Sequence, residues 1–496
     1  DANTAVGSYA LNINTTGASN VAVGRLALQN NTTASNNVAV GLQSLKANTT
    51  GHSNVAIGKD AMLSNTTGSE NTAVGFEALD AATTAENNVA IGRLAGTGLT
   101  TGGQNTIVGA AAMQTNSTGV GNVAIGVSAL AVAQGSDNVA VGRTAGDAVT
   151  TGANNVLMGT DAGGSLTTGG NNTVIGKDAF AAATTVTSAV AVGFKALASN
   201  TSGTGNTALG YAAGEDITTA VQNVLVGYHA GTNLTTGNNN VFIGYGAGDA
   251  CTTGTPNTAV GVGAYGANTG GAENTAIGNS TLALSDSGAF YNTAVGSTAG
   301  YDITTGDYNT LLGRYAGTTI TTGSLNVCIG ASSRPSSASG THEIVLGYNV
   351  TGASNSSLTF GDSATDTTCS MGGTTWTAPS DVRLKEDIQS EEIGLEFINE
   401  LRPVTYQWKK AKDVPSEMKV HDPDSEERVM NGKHNHGFIA QEVKEVIDRY
   451  DFKEGFDMWS EDGEDGRQRI GETALIPILV KAIQELSAEV EKLKGD

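Results

Sequence analysis

Short apolar triplets return at a fixed interval along the first three quarters of the chain. All but two follow an asparagine and each precedes a glycine, as in Asn20-Val21-Ala22-Val23-Gly24. The glycines run from Gly7 to Gly347 in 21 positions, separated by eighteen intervals of 17 residues, one of 16 and one of 18. Alternation inside the triplet has the period of a strand: Val21 and Val23 share one face and small Ala22 takes the other. A second apolar group follows, as in Leu26-Ala27-Leu28, and then a Thr-Thr-Gly type of turn. Glycine supplies positive φ at such turns, and asparagine accepts left-handed geometry while bonding the local backbone. One such unit cannot bury an apolar face alone, but stacked units can, because each side chain then lies over its own copy.

The pattern predicts a mostly β fold, with a parallel β-solenoid shaft over residues 1–350. Valines should form ladders along it, and so should the asparagines, satisfying backbone groups at the corner. At about 4.8 Å per coil the shaft would be roughly 100 Å long, with a triple β-spiral as the competing geometry. After Gly347 the repeat decays through Ser/Thr-rich sequence, so residues 351–379 read as a linker or shaft tip. From Ser380 the composition switches. Residues 1–379 hold 9 Lys/Arg and 20 Asp/Glu, whereas residues 380–496 hold 17 and 28 in less than a third of that length. Residues 405–470, rich in charge and histidine, read as a mixed α/β body with polar loops.

Charge and composition remove several function classes. Both parts are net acidic within a chain of net charge −22, so no basic face invites a phosphate backbone and nucleic-acid binding is not expected. No apolar run is long enough for a membrane span. The chain starts inside a repeat, which suggests a fragment or a processed product. Cys251, Cys328 and Cys369 are far apart and read as buried small residues, with neither disulfide framework nor metal-ligand spacing. His52, His229 and His342 are isolated and read as structural, and no cofactor motif stands out. Aspartates and glutamates on the shaft look too thin for a paired-carboxylate glycosidase site, although carboxylates of different coils could meet. Aromatics are sparse, so no sugar-binding platform is visible along the shaft.

Two resemblances follow from the motifs. The V-A-[VI]-G triplet followed by a glycine turn, over about residues 3–350, resembles the heads of trimeric bacterial adhesins, although the period here is longer. That resemblance implies a left-handed parallel β-roll with three chains packed side by side. The second concerns residues 380–496. Ser380-Asp381-Val382-Arg383-Leu384-Lys385, Gly437-Phe438-Ile439-Ala440-Gln441-Glu442-Val443 and Ala482-Ile483-Gln484-Glu485-Leu486 resemble the intramolecular chaperone, or auto-processing, domain that ends many phage tail fibres and tailspikes, including endosialidases.

This second resemblance implies a domain that trimerises, aligns three chains and then removes itself at the Pro379–Ser380 bond. Ser380 would be the nucleophile and Lys385 its base, a single-turnover serine peptidase. Asp381 and Arg383 would support the loop, by salt bridging or by a catalytic part. Pro379 cannot donate a backbone hydrogen bond. His434 and His436 are alternative bases, and with no further Cys or His nearby they do not make a zinc site. Near the C-terminus Ile476, Leu479, Ile483, Leu486, Val490 and Leu493 alternate spacings of three and four, a heptad seam on a helix over 476–494, with Pro477 tolerated near its start. Ile/Val against Leu at the two seam positions favours two parallel strands, whereas the resemblance implies three; a helix folded back on its own domain is the plain alternative.

Together these features suggest a trimeric tail-fibre or spike shaft, carried on a virion with other tail proteins and made in the host cytoplasm. It would reach a glycan or protein on the host surface. A cellular surface adhesin using the same maturation domain is the alternative, and a depolymerising tailspike a third reading.

Overall fold

The computed structural model describes residues 2–495 apart from 287, 364, 374–375, 378–379, 381, 431, 451–457 and 462–465. It divides into two compact units, Asp1–Pro379 and Ser380–Asp496.

The first unit is a parallel β-solenoid of about 21 coils. Each coil contributes one strand of three residues, from β1 (Thr4–Val6) to β20 (Val327–Ile329), and β21 (Ile344–Tyr348) extends to five. Every strand pairs with the next in parallel, one repeat on: Val21 lies opposite Val38 and Val224 opposite Val241. The short interval pairs Val123 with Val139 and the long one Thr275 with Thr293, so each irregularity is absorbed in a turn and the ladder continues. Pairing within one chain at this register excludes the triple β-spiral.

The interior is set by the middle residue of each strand. Ala22, Ala39 and Ala56 are fully buried, whereas the flanking Val21, Val23, Val38 and Val40 are only half-buried. The valine ladders thus run along the outside. Small residues inside let the opposite wall approach, and a volume exchange keeps the core filled. Where the turn position after the buried alanine or serine carries a large residue, as at Leu45 after Ser44, the position three further on is small or an asparagine, here Asn48. Where it is Gly214 or Gly317, the later position becomes Ile217 or Ile320. A Cβ on Gly214 would stand 2.6 Å from Leu225 Cδ1, 3.0 Å from Leu197 Cδ2 and 3.1 Å from Ile217 Cδ1, so these larger neighbours already occupy its space.

Two polar ladders hold the corners. Asn223 Oδ1 accepts the backbone N–H of Asn240 at 2.8 Å, and Asn223 Nδ2 donates to the carbonyl of Gly237 at 3.0 Å. The same pair of bonds recurs up the shaft, for example at Asn37 and Asn292. Threonine hydroxyls make the second ladder, Thr235 Oγ1 donating to the Thr252 carbonyl at 3.0 Å. Buried backbone groups at the turns are thereby satisfied without water. The glycine closing each strand has φ between 124° and 146°, a region other residues avoid. A Cβ on Gly159 would also lie 2.7 Å from the carbonyl of Gly176 in the next coil.

The segment read as linker and shaft tip contains two longer strands. β22 (Ser357–Asp362) pairs in parallel with β21, and β23 (Thr365–Ser370) returns antiparallel along β22. This hairpin covers the edge the last coil would otherwise expose. Glu343 takes the asparagine position in that coil, buried, with its carboxylate accepting from Ser336 N–H at 2.9 Å and Ser336 Oγ at 2.6 Å. The three cysteines are buried and unpaired; burial pushes the Cys251 thiol up to about 11 and, with Glu343 nearby, that of Cys328 to about 12.

The second unit is small and mixed. Helix α1 (Leu395–Glu400) and helix α2 (Ala440–Arg449) enclose Phe397, Val443 and Val446, which pack with Met458, Leu475 and Ile478. Two short antiparallel pairs complete it: β24 (Val404–Tyr406) with β25 (Asn435–Gly437), and β26 (Trp459–Glu461) with β27 (Gln468–Ile470). Helix α3 (Leu475–Gly495) ends the chain. No helix among the described residues is long and apolar enough to cross a membrane.

Candidate functional site

The start of the second unit holds the candidate chemistry. A 3-10 turn at Val382–Leu384 follows Ser380, and the Lys385 N–H closes it on the Val382 carbonyl at 3.2 Å. The turn folds the chain back, so that Lys385 Nζ reaches Ser380 Oγ at 2.7 Å. Arg383 lies on this turn, and Pro379 and Asp381 lie outside the described residues. Among the described residues no hydrogen bond joins His434 or His436 to Ser380. His434 Nδ1 lies 3.4 Å from Gln407 Nε2, and His436 sits in β25 opposite Thr405.

A lysine accepts a proton from a serine only as the free amine, and removal from water is what brings an amine to that form. Ser380 and Lys385 are both exposed in the single chain. The pair lies within proton-transfer distance and faces solvent in the single chain.

The other two motifs lie in the body of the unit, one running from β25 into α2 and the other within α3. Gly437 ends β25, Ile439 is the N-cap residue of α2, and Val443 is buried in the core of the unit. Glu485 accepts the N–H of Leu395 at 2.8 Å, which caps the free start of α1 from α3; that bond, with Lys481 beside it, holds the Glu485 carboxyl below the usual range. Ion pairs tie the rest together. Arg402 grips Glu442 with two nitrogens, and Glu400 accepts from Arg449 and the Tyr450 hydroxyl, both at 2.7 Å.

Helix α3 has two apolar faces. Leu475, Ile478 and Ala482 are buried against the unit, so the helix does fold back on its own domain. The heptad seam remains outside: Ile476, Leu479, Ile483, Leu486, Val490 and Leu493 are all exposed, Ile483 at 66% and Leu493 at 78%. Hydrophobic periodicity had identified the seam, whereas the second stripe was masked by it.

On the shaft, carboxylates of neighbouring coils lie near enough for one to raise the pKa of another. Burial, with Glu77 and Asp60 nearby, raises the Asp80 carboxyl, and burial with Asp161 nearby raises Asp147. Their one-dimensional separation of about one repeat hid these neighbours until the period was applied to individual columns.

Residues 380–451 match a protein-family model described as the chaperone of endosialidase, which spans the Ser380–Lys385 and Gly437–Val443 motifs and stops short of α3. No curated protein and no solved structure matched the chain. A parallel β-solenoid of about 21 coils followed by a segment that matches this family model fits a tail fibre or tailspike with a C-terminal chaperone domain.

Proposed function

We propose that the chain is the structural shaft of a homotrimeric tail fibre or spike that attaches to a host surface, and that its C-terminal unit assembles three chains and then cuts itself off at Pro379–Ser380. The carrying observation is the exposed seam of α3. Six large aliphatic residues in heptad spacing face solvent on a helix already anchored by its other side. Burying them requires further helices, and a second copy of the same helix matches the spacing.

The shaft offers a matching face. The two outward positions of all 21 solenoid strands carry only Val, Ile, Leu, Met or Thr, without one charge. That strip is about 100 Å long and about 10 Å wide, on the order of 1,000 Å² per chain, which is the scale of a stable interface. Its repetition is also a hazard, because a slip by one coil places nearly equivalent residues opposite each other. A non-repetitive trimerising unit at the end would fix the register first. Packing against neighbours would remove Lys385 from water and so couple cleavage to completed assembly. Release would then leave the shaft held by its unfolding barrier.

Intact mass and a denaturing gel test the processing step, with Ser380→Ala and Lys385→Ala beside the wild type. The reading expects wild type to lose residues 380–496 and both variants to stay whole. A wild-type chain that stays whole after assembly would overturn the cleavage, and cleavage of Ser380→Ala would overturn the assigned nucleophile.

A further inference from the structure

Aromatic residues that look scattered along the shaft sequence become neighbours because their spacing is one repeat. Phe194, Tyr211, Tyr228 and Tyr245 follow the strand glycine in four successive coils. Their rings stack at 5.1, 5.0 and 5.1 Å, with planes within 23°, 12° and 5°. His229 of the adjoining column leans on two of them, 5.5 Å from Tyr211 and 4.3 Å from Tyr228. The three tyrosines are 46%, 45% and 61% exposed, so the stack stands on the surface and the expectation of no aromatic platform is corrected.

We infer that this ladder is a lateral contact site for a linear glycan, which deepens the host-attachment reading and rests on it. Three features argue for that ligand. Stacked rings cover one another's faces and present edges and hydroxyls outward, so the surface is a row of amphipathic tips on rigid side chains that lose little entropy on binding. The hydroxyls of Tyr211, Tyr228 and Tyr245 make no hydrogen bond to a described residue, leaving donors and acceptors at each step for a polyhydroxylated chain. The step is also close to the length of one pyranose residue, so successive sugars of an extended chain would meet successive tyrosines. A folded protein other than a second copy of this shaft has no such straight period. The net acidic shaft disfavours a nucleic acid, whose stacking would in addition need open ring faces. A stack serving stability alone would gain as much from phenylalanine as from three consecutive tyrosines.

Affinity electrophoresis of the native full chain through gels containing hydroxyethylcellulose, galactomannan or alginate tests the site. At least one polymer should retard the wild type. Tyr211→Ala/Tyr228→Ala should weaken that retardation by about tenfold or more, and Tyr211→Phe/Tyr228→Phe, which keeps the stack, by about threefold. Wild type unretarded in all three gels, or equal retardation of the double alanine variant, overturns the inference. Tetranitromethane labelling of the same assembly keeps the test independent of folding. Nitration at Tyr211, Tyr228 and Tyr245 is expected, whereas protection of all three would make the column a contact between chains and overturn the glycan site. Processing at Pro379–Ser380, read by mass on the same samples, tells failure of this site from failure of the wider function.

Discussion

Replacing Asn223 by alanine removes one rung of the inner asparagine ladder. Its Oδ1 accepts the Asn240 N–H at 2.8 Å and Asn240 Nδ2 at 3.1 Å, and its Nδ2 is shared among the Gly237 carbonyl at 3.0 Å, Asn206 Oδ1 at 3.1 Å and the Val221 carbonyl at 3.1 Å; all of these are lost. Asn206, Asn223 and Asn240 are fully buried, so water cannot replace these bonds without opening the coil. An orphaned buried donor costs about 1–3 kcal/mol and the carbonyl somewhat less, so the local loss is roughly 2–4 kcal/mol. A stack of 21 coils does not unfold in one step, and a global midpoint would dilute the effect. Native-state hydrogen exchange reads it locally. Amides of Val224–Val226 and Val241–Ile243 should exchange between about 30- and 800-fold faster, while distant coils keep their rates. The exposed Thr236→Ala in the same turn is the control. Equal exchange in Asn223→Ala and Thr236→Ala would refute the claim that the ladder stabilises the shaft. Within the shaft the ladder is naturally interrupted at Ala189, which donates its N–H to Asn172 Oδ1 but returns no acceptor to Asn206, and Val186 fills a turn position elsewhere held by glycine or alanine.

Three further outcomes follow from the same geometry. Gly214→Leu should overpack against Leu225 and Ile217 and destabilise its coil by about 1–3 kcal/mol; adding Ile217→Asn and Leu225→Ala should recover part of this, as read by exchange in the same coil. Asp80→Asn should stabilise the surrounding coils at pH 7 and change little near pH 4. The folded-state carboxyl is raised above 3.8, so folding holds the proton more tightly and the wild-type site loses stability as pH rises above the ordinary carboxylate value; a variant equally stabilising at both pH values would refute that sign. Glu485→Ala should uncap α1 and speed exchange at Leu395 while leaving the solenoid unchanged, and unaltered exchange there would show that the cap contributes nothing.

The repeat was legible because strand alternation and turn glycines recur together at 17-residue spacing in all but two of the 20 intervals. Those features imply a parallel stack and the asparagine ladder, since identical residues must lie over each other. They do not say which strand face turns inward. Val21 and Val23 are the more apolar pair, yet Ala22 is inside, and the same inward position takes Ile107, Leu157 and Phe242 in other coils. A consensus also averages away pairs that vary together, which is why the exchange between Leu45 with Asn48 and Gly214 with Ile217 emerges only from packing. The aromatic ladder escaped for a similar reason: aromatics are few in composition, and only alignment of one column places Tyr211, Tyr228 and Tyr245 in contact. In the second unit, motif residues placed Ser380 and Lys385 in one turn, but five residues of spacing cannot say whether a lysine reaches back to the hydroxyl. The seam of α3 was legible from its heptads, whereas the buried stripe of Leu475, Ile478 and Ala482 has too few positions to stand out.

The central claim is that α3 brings three chains together before the shaft zips up. Sedimentation equilibrium on refolded Ser380→Ala, which keeps the C-terminal unit attached, measures this directly when set beside Ser380→Ala/Ile483→Glu/Leu486→Glu. The account predicts three times the chain mass for the first protein, and single chains or ill-defined aggregates for the second. A trimer that forms equally well with both seam charges in place, or a parent that sediments as one chain, would contradict it.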